Sequence, residues 1–135
     1  MAGFNDALIE EFRSSGGKVT GPFANAPLLL LTTTGARSGR RYTTPVAYTT
    51  DDDRFVVIAS KGGAPHNPDW YHNLVANPTA TIEIPGETLD VRATEAEGEE
   101  RERLYERQAE VMPGFSEYQR KTTRRIPVLV LERVA

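Results

Sequence analysis

Residues 35–41, which read GARSGRR, combine three arginines with two glycines and a serine. Guanidinium groups present paired donors that match phosphate and carboxylate oxygens, and glycines let backbone amides approach a ligand closely. The stretch is not a Walker loop, because no Gly-Lys-Ser or Gly-Lys-Thr follows the glycines, and it lacks the GxGxxG of a Rossmann fingerprint. The composition therefore favours an anion-binding turn over a turn that serves only solubility.

Residues 60–71, which read SKGGAPHNPDWY, form a second stretch suited to binding. They follow the apolar run FVVIA, so a strand is expected to lead into two glycines whose backbone amides can turn towards a ligand. Lys61 adds a positive charge, Ser60 a hydroxyl group, and Trp70 a large flat face with one hydrogen-bond donor. We interpret this stretch as the floor of a cofactor site; the alternative is an ordinary loop between a strand and a helix.

The remaining residues leave few groups for unaided catalysis. The sequence has no cysteine, which excludes thiol nucleophiles, disulfides and thiolate metal sites. Its two histidines, His66 and His72, lack the spacing of a metal motif, so no metal site is expected. No GxSxG is present, and Ser60 has no evident His–Asp partners. If the protein is an enzyme, a bound organic cofactor must carry its chemistry.

Length and charge narrow the class of protein. The 135 residues predict a single domain spanning residues 1–135, and 39% hydrophobic residues suit a folded core. A net charge of −3 argues against general affinity for nucleic acid. No apolar run approaches the roughly 20 residues that span a bilayer, and the N-terminus lacks signal-peptide features. We therefore expect a cytoplasmic protein.

Short strands and three helices are predicted to position the two binding stretches. The predicted strands are 28–34, 43–50, 54–59, 79–84, 88–93 and 126–131, and the predicted helices are 4–13, 69–76 and 97–111. Asp69 is expected to cap the second helix, residues 51–53 to form a solvated hairpin tip, and Tyr118 to begin a polar stretch. Because most connections are short, we expect antiparallel pairing and a closed or nearly closed barrel of the α+β, mainly β class.

Both stretches resemble the deazaflavin-dependent nitroreductase family of actinobacteria. The matching segments are LLLLTTTGARSG at 28–39, TTP at 43–45, ASKGGA at 59–64, NPDWYHNL at 67–74, ANP at 76–78, YQ at 118–119 and RIPV at 125–128. The resemblance covers nearly the whole chain. It implies an antiparallel split β-barrel related to FMN-binding flavin reductases, with flanking helices. It also implies coenzyme F-420, a deazaflavin with a phosphate and a polyglutamate tail, as the hydride donor.

The resemblance also implies roles for individual residues. The residues expected to hold the phosphate and anionic tail are Arg37, Ser38, Gly39, Arg40 and Arg41. The residues expected to line the path towards the ring are Thr43, Thr44, Pro45 and Val46. The residues expected to contact the deazaflavin edge through backbone amides are Ala59, Ser60, Lys61 and Gly62. Trp70 would shape the pocket around the cofactor. Tyr118 and Ser60 are the candidate catalytic residues, which would donate to the acceptor.

Three residues depart from the family pattern. Tyr42 stands where many relatives carry a basic residue, so Arg41 is expected to take over that tail contact. Met112 and Phe115 occupy positions where nitroimidazole-activating members carry tyrosines. The resemblance therefore implies a quinone as the expected acceptor, with a nitroaromatic compound as the second choice.

Other functions and partners stay open at this point. One alternative is an FMN- or haem-binding barrel of the same fold, and another is a carrier that binds F-420 without turnover. The expected partner is a small-molecule electron acceptor and not nucleic acid. The N-terminal helix is expected to pack on the core, with weak contact to the inner face of the cell membrane as the alternative. A monomer or weak homodimer is expected.

Overall fold

The structure, a computed structural model, describes residues 4–17, 27–60 and 66–134. Within these ranges it contains six strands and four helices. The strands are β1 (Leu28–Thr34), β2 (Arg41–Asp51), β3 (Arg54–Ile58), β4 (Thr79–Ile84), β5 (Glu87–Glu95) and β6 (Val128–Arg133). The helices are α1 (Phe4–Ser14), α2 (Asp69–Ala76), α3 (Gly98–Val111) and α4 (Gly114–Arg120).

The strands close into one barrel in the order β1-β2-β3-β6-β5-β4, and every neighbouring pair is antiparallel. The predicted antiparallel split barrel with flanking helices is thereby confirmed. Successive side chains of a strand point to opposite faces, so Leu29 and Leu31 of β1 lie in the interior core with Val57 and Leu131. The alternating direction of side chains along each strand thus decides which residues fill the barrel.

Helices cover the outside of the barrel through two further apolar clusters. Leu8 and Phe12 of α1 are buried against Leu28 and Leu30, the outward-facing residues of β1. The packing of the first helix on the core is therefore confirmed. A second cluster, the outer core, joins α3 and α4 to the outward faces of β3 and β6. No helix in the described ranges is long and apolar enough to cross a membrane.

The first half of β2 has a neighbouring strand on one side only. Residues 41–47 pair with β1, whereas the ladder with β3 runs only from the Tyr48–Val57 pair to the Asp51–Arg54 pair. Pro45 therefore lies where its missing N–H costs least, because one edge of the strand carries no ladder. This open edge faces the region where the chain leaves β3 towards residues 59 and 60.

Several predicted boundaries differ from the structure. The second strand is longer than 43–50, the third ends before residue 59, and the last runs Val128–Arg133 instead of 126–131. The stretch from Gly114 to Arg120, predicted as a break followed by a polar segment, is the helix α4. Its sequence lacks a long apolar stripe, but Phe115 is buried against the rings of Tyr105 and Tyr118. Tertiary packing, which local patterns do not show, stabilises this short helix.

Two predicted roles of aspartates are wrong. Asp69 is the first residue of α2, and Pro68 occupies the N-cap position without a side-chain cap. Asp51 is buried at the β2–β3 hairpin, where it pairs with Arg54 and with Arg103 of α3. Hydrogen bonds from Arg103 and Arg54 hold the pKa of the Asp51 carboxyl well below its ordinary value. Asp51 with its two arginine partners, the Asp51 clamp, therefore joins the barrel to α3. The sequence could not reveal this contact, because Arg103 is 52 positions away from Asp51.

Candidate active site

Residues 35–41, the arginine turn, connect β1 to β2 and pair several of their backbone groups within the turn. The Gly35 N–H donates to the Arg40 carbonyl (2.7 Å), the Gly39 N–H to the Gly35 carbonyl (3.1 Å), and the Arg40 N–H to Ser38 Oγ (3.2 Å). Gly39 has a φ of +71°, and a Cβ on Gly35 would lie 2.6 Å from Ser38 Oγ, so both positions require glycine. The glycines therefore shape the turn and do not present free amides to a ligand.

A buried asparagine fastens the arginine turn to α2. Asn73 Oδ1 accepts the Ala36 N–H (3.0 Å), and Asn73 Nδ2 donates to Thr33 Oγ1 (3.1 Å). A cleft of about 590 Å³ separates the turn from the helix, with Arg37 on one wall and His72 on the other. Because Asn73 ties both walls together, this cleft is a fixed feature of the fold.

The three arginines of the turn do not converge. Arg37 and Arg40 are exposed, and neither forms an ion pair or a side-chain hydrogen bond with any described residue. Arg41 instead donates to Thr81 Oγ1 (3.1 Å) and lines a separate groove with Asp90. The expectation that Arg41 replaces a basic residue at position 42 is therefore not supported by its position.

Ser38 in the turn interacts with Tyr42, which follows the turn. The hydroxyl groups of Ser38 and Tyr42 are hydrogen-bonded (3.0 Å), and Tyr42 lines the same cleft as Arg37. The guanidinium group of Arg37 remains available to an anion at this cleft, and that of Arg40, elsewhere in the same turn, also has no partner among the described residues. The five residues predicted to hold the tail are thus only partly brought together.

The four residues predicted to line the path to the ring lie on both faces of β2. Thr44 and Val46 pair with Leu31 and Leu29, which face the barrel interior, and Val46 is buried there. Thr43 and Pro45 point the other way, and the hydroxyl of Thr43 is hydrogen-bonded to that of Thr32 (2.8 Å). All four residues lie along the open edge of β2, but their side chains do not form one common surface.

Ala59 and Ser60, the β3 end, have no free backbone polar group. The Ala59 N–H donates to the Pro127 carbonyl and the Ser60 N–H to the Ile58 carbonyl, each at 2.9 Å. Both of their carbonyls accept hydrogen bonds from Arg124, at 3.2 Å and 2.8 Å. The amides of these two residues, which were predicted to contact a cofactor, therefore already have partners within the chain. The other two predicted residues, Lys61 and Gly62, lie outside the described ranges.

The hydroxyl of Ser60 is the one polar group of the β3 end left for a ligand. Ser60 is largely buried, and its Oγ forms no hydrogen bond with a described residue. Trp70 is 7% exposed and belongs to the interior core together with Ala59 and Val46. Its indole thus supports the site from inside the barrel.

Tyr118 lies on α4, outside the barrel. Its ring packs edge-on against Phe115, with 5.1 Å between centroids, and its hydroxyl lies above Gly114. The hydroxyl forms no hydrogen bond within the described part of the chain, and it is not bonded to Ser60. Gln119, the next residue, donates through Nε2 to the Arg124 carbonyl (2.8 Å), so α4 is tied to the residue that binds the β3 end.

Arg124 is the functional candidate that sequence reasoning missed. Its guanidinium binds both carbonyls of the β3 end and donates to Asn67 Oδ1 (2.7 Å). Burial lowers the pKa of this arginine, since desolvation disfavours its charged form. The run TTRRIP contains two adjacent arginines, and nothing in it indicates that Arg124 turns inward while Arg125 pairs with Glu102 at the surface.

Known proteins resemble this chain in sequence. A family model described as F420H(2)-dependent quinone reductase matches residues 7–133. A protein of Mycobacterium tuberculosis (strain H37Rv) named F420H(2)-dependent quinone reductase is 37% identical over 126 residues, which is 90% of this chain and 85% of that protein.

Solved structures show the same likeness in three dimensions. One described as an F420-H2 dependent reductase (FDR-A) has a TM-score of 0.73 and 43% identity, covering 78% of this chain and 94% of that chain. Another, described as a domain-swapped dimer, has a TM-score of 0.75 and 38% identity, covering 93% of this chain and 95% of that chain.

Proposed function

This chain belongs to the F420H(2)-dependent quinone reductase family, and we propose how its residues serve that activity. It is an oxidoreductase whose cofactor is coenzyme F-420 and whose acceptor is of the quinone type. In our proposal the cofactor's phosphate and anionic tail bind at the arginine turn, and its ring lies between the open edge of β2 and the β3 end.

The observation that carries this proposal is the pair of arginines in the arginine turn that have no partner in the described ranges, one of which, Arg37, lines the cleft. Arg37 and Arg40 are exposed without ion pairs in the described ranges, although the chain carries more acidic than basic residues. Their guanidinium groups suit phosphate and carboxylate oxygens. Asp69 lies across the same cleft, so an anion would be drawn to the arginine wall. The donor set therefore fits a phosphate followed by a chain of carboxylates.

Two hydroxyl groups are available for the acceptor. When bound, the reduced deazaflavin supplies a hydride, which carries two electrons and one proton. Ser60 Oγ and Tyr118 Oη, which have no hydrogen-bond partner among the described residues, would donate to the acceptor oxygen and stabilise its developing negative charge. Complete reduction of a quinone consumes one further proton, which the Tyr118 phenol or a water molecule would supply.

The acceptor is proposed to be a quinone instead of a nitroimidazole. Met112 and Phe115 pack into the outer core beside Tyr118 and offer no hydroxyl group there. Tyr118 is then the one aromatic hydroxyl on α4. A nitro group has two oxygens to satisfy, whereas a quinone carbonyl needs a donor at one oxygen at a time.

Assembly and membrane contact are further parts of the proposal. We favour a monomer or a weak homodimer, with the domain-swapped dimer of a similar protein as the precedent for self-association. The buried positions of Leu8 and Phe12 argue against membrane contact through α1, because these two large apolar side chains are already covered.

Oxidation of reduced F-420, followed by absorbance, tests the proposal directly. The purified protein should catalyse this oxidation with menaquinone analogues and more slowly with nitroimidazoles. Tight binding of FMN without a response to F-420 would favour the FMN- or haem-binding alternative. Binding of F-420 without turnover on any quinone would identify a carrier and contradict the reductase.

A further inference from the structure

Arg124 connects the β3 end to Asn67, which lies shortly before α2. Its Nη1 donates to the Ala59 carbonyl (3.2 Å) and to Asn67 Oδ1 (2.7 Å), while its Nη2 donates to the Ser60 carbonyl (2.8 Å). Ser60 and Asn67 are seven positions apart in the sequence. A single planar group thus fixes the point where the chain leaves β3 and the point where it approaches α2.

These contacts determine where the Ser60 hydroxyl lies. The amide of Ser60 is held by the Ile58 carbonyl, and its carbonyl is held by Arg124. With both backbone groups fixed, the direction of the Cα–Cβ bond is fixed as well, and only the χ1 rotation of the hydroxyl remains. Two of the five guanidinium donors reach adjacent carbonyls because the group is rigid and planar, which a lysine ammonium cannot reproduce.

The backbone of Arg124 is held from the opposite side by α4. Its carbonyl accepts a hydrogen bond from Gln119 Nε2 (2.8 Å), and Gln119 Oε1 accepts from the Ile126 N–H (3.2 Å) and from Arg101 Nη2 (2.7 Å). Gln119 follows Tyr118 directly in α4. The two candidate catalytic hydroxyls therefore belong to segments that meet at Arg124.

We infer that Arg124 is a positioning residue that sets the Ser60 hydroxyl relative to Tyr118 and to the bound cofactor. This inference rests on the proposed function above. In this inference Arg124 acts through Ser60, since its Nη groups are directed at the two carbonyls and at Asn67. A network used only for stability would hold the fold equally well without any effect on cofactor binding.

Two substitutions at position 124 and one beside it separate these possibilities. Arg124→Met removes all three hydrogen bonds, and Arg124→Lys keeps the charge but not the paired geometry. Arg125→Met is the matched control, since Arg125 is exposed and pairs with Glu102. The affinity for oxidised F-420, from fluorescence titration, should fall about tenfold or more in both Arg124 variants and stay within twofold in the control. Unchanged affinity in a folded Arg124→Lys protein would overturn the inference.

Combining substitutions tests whether Arg124 acts through Ser60. If it does, adding Arg124→Lys to Ser60→Ala should lower kcat little further, because the group being positioned is already gone. Losses that multiply would show an independent role and contradict the inference.

Hydrogen exchange of the cofactor-free protein separates this inference from the proposed function. The Ala59 and Ser60 amides should exchange faster in Arg124→Lys than in Arg125→Met. If the wild-type protein fails to bind F-420 but this difference appears, the proposed function fails and the positioning of Ser60 stands. Equal exchange in both variants would refute the positioning itself.

Discussion

The arginine turn and the β3 end use arginine in opposite ways. Arg37, beside the cleft, and Arg40 are exposed and lack ion pairs within the described ranges, whereas Arg124 is partly buried and donates to three acceptors of its own chain. An unpaired guanidinium at the surface is ready for an external anion. A guanidinium whose acceptors are internal fixes the backbone instead. The same residue type thus serves binding in one region and positioning in the other.

The two regions share one property that differs from what the sequence led us to expect of the site. In each, hydrogen bonds within the chain already occupy the backbone amides expected to face the cofactor, as at Gly35, Gly39, Ala59 and Ser60. The amides of these four residues are therefore already paired, whereas guanidinium groups at the turn and hydroxyl groups near the β3 end remain without partners among the described residues.

The largest expected effect is on stability, and it distinguishes an arginine that is hydrogen-bonded within the chain from one that has no partner in the described ranges. Arg101→Met should lower the free energy of unfolding by about 3 kcal/mol, because it removes both hydrogen bonds from Arg101 to the Ile126 carbonyl and one of the two hydrogen bonds to Gln119 Oε1. Arg37→Met should change stability by less than about 0.5 kcal/mol. Urea denaturation measures both, and equal losses would break the comparison.

Binding should respond in the reverse order. The double substitution Arg37→Ala and Arg40→Ala should weaken F-420 binding about 100-fold, or about 2.7 kcal/mol, and should reduce its dependence on salt. Arg41→Ala is the control, because Arg41 is directed towards Thr81 and should contribute much less. Fluorescence titrations at low and high salt measure this. An equally large loss in Arg41→Ala would mean that the tail follows the other groove.

The hydroxyl of Tyr118 should affect turnover and not cofactor affinity. Tyr118→Phe should lower kcat about tenfold, in line with the loss of one donor to the acceptor, while the dissociation constant of F-420 stays the same. Tyr48→Phe removes a phenolic hydroxyl elsewhere on the barrel and should leave kcat unchanged. Stopped-flow oxidation of bound reduced cofactor separates the two quantities, and equal kcat in Tyr118→Phe would remove this residue from the reaction.

The smallest expected effect concerns pH and the Asp51 clamp. The folded-state pKa of Asp51 is lowered, so its contribution to stability is present above the unfolded pKa of about 4 and is lost as the pH falls through the folded value. Asp51→Asn should cost about 1 kcal/mol at pH 7, with a weaker decline in acid than in the wild type. Thermal unfolding between pH 7 and pH 3 measures this, and parallel curves would contradict the role of the clamp.

The barrel could be predicted because its signal is local. The apolar run at residues 28–31 and the alternating residues at 79–84 identify strands, and short connections identify antiparallel neighbours. The arginine turn was also visible, since its composition alone suggests an anion site. Its internal hydrogen bonds could not be predicted from composition. The separation of Arg41 from Arg37 could not be predicted either, because it depends on the contact of Arg41 with Thr81 on β4.

The rest depends on contacts between distant parts of the chain. The inward turn of Arg124 requires the carbonyls of Ala59 and Ser60, which are 65 and 64 positions away. The helix α4 similarly depends on the packing of Phe115 against Tyr105. Single-sequence patterns carry no information about such pairs, so these features emerge only from the folded structure.

A crystal structure of the protein with oxidised F-420 tests the central claim most directly. We predict that the phosphate and first carboxylates lie within hydrogen-bond distance of the Arg37 and Arg40 guanidiniums. The deazaflavin edge should lie beside Ser60 Oγ, with the backbone of residues 59–60 still bound to Arg124. A phosphate in the groove of Arg41 and Thr81, or a ring remote from Ser60, would contradict the account.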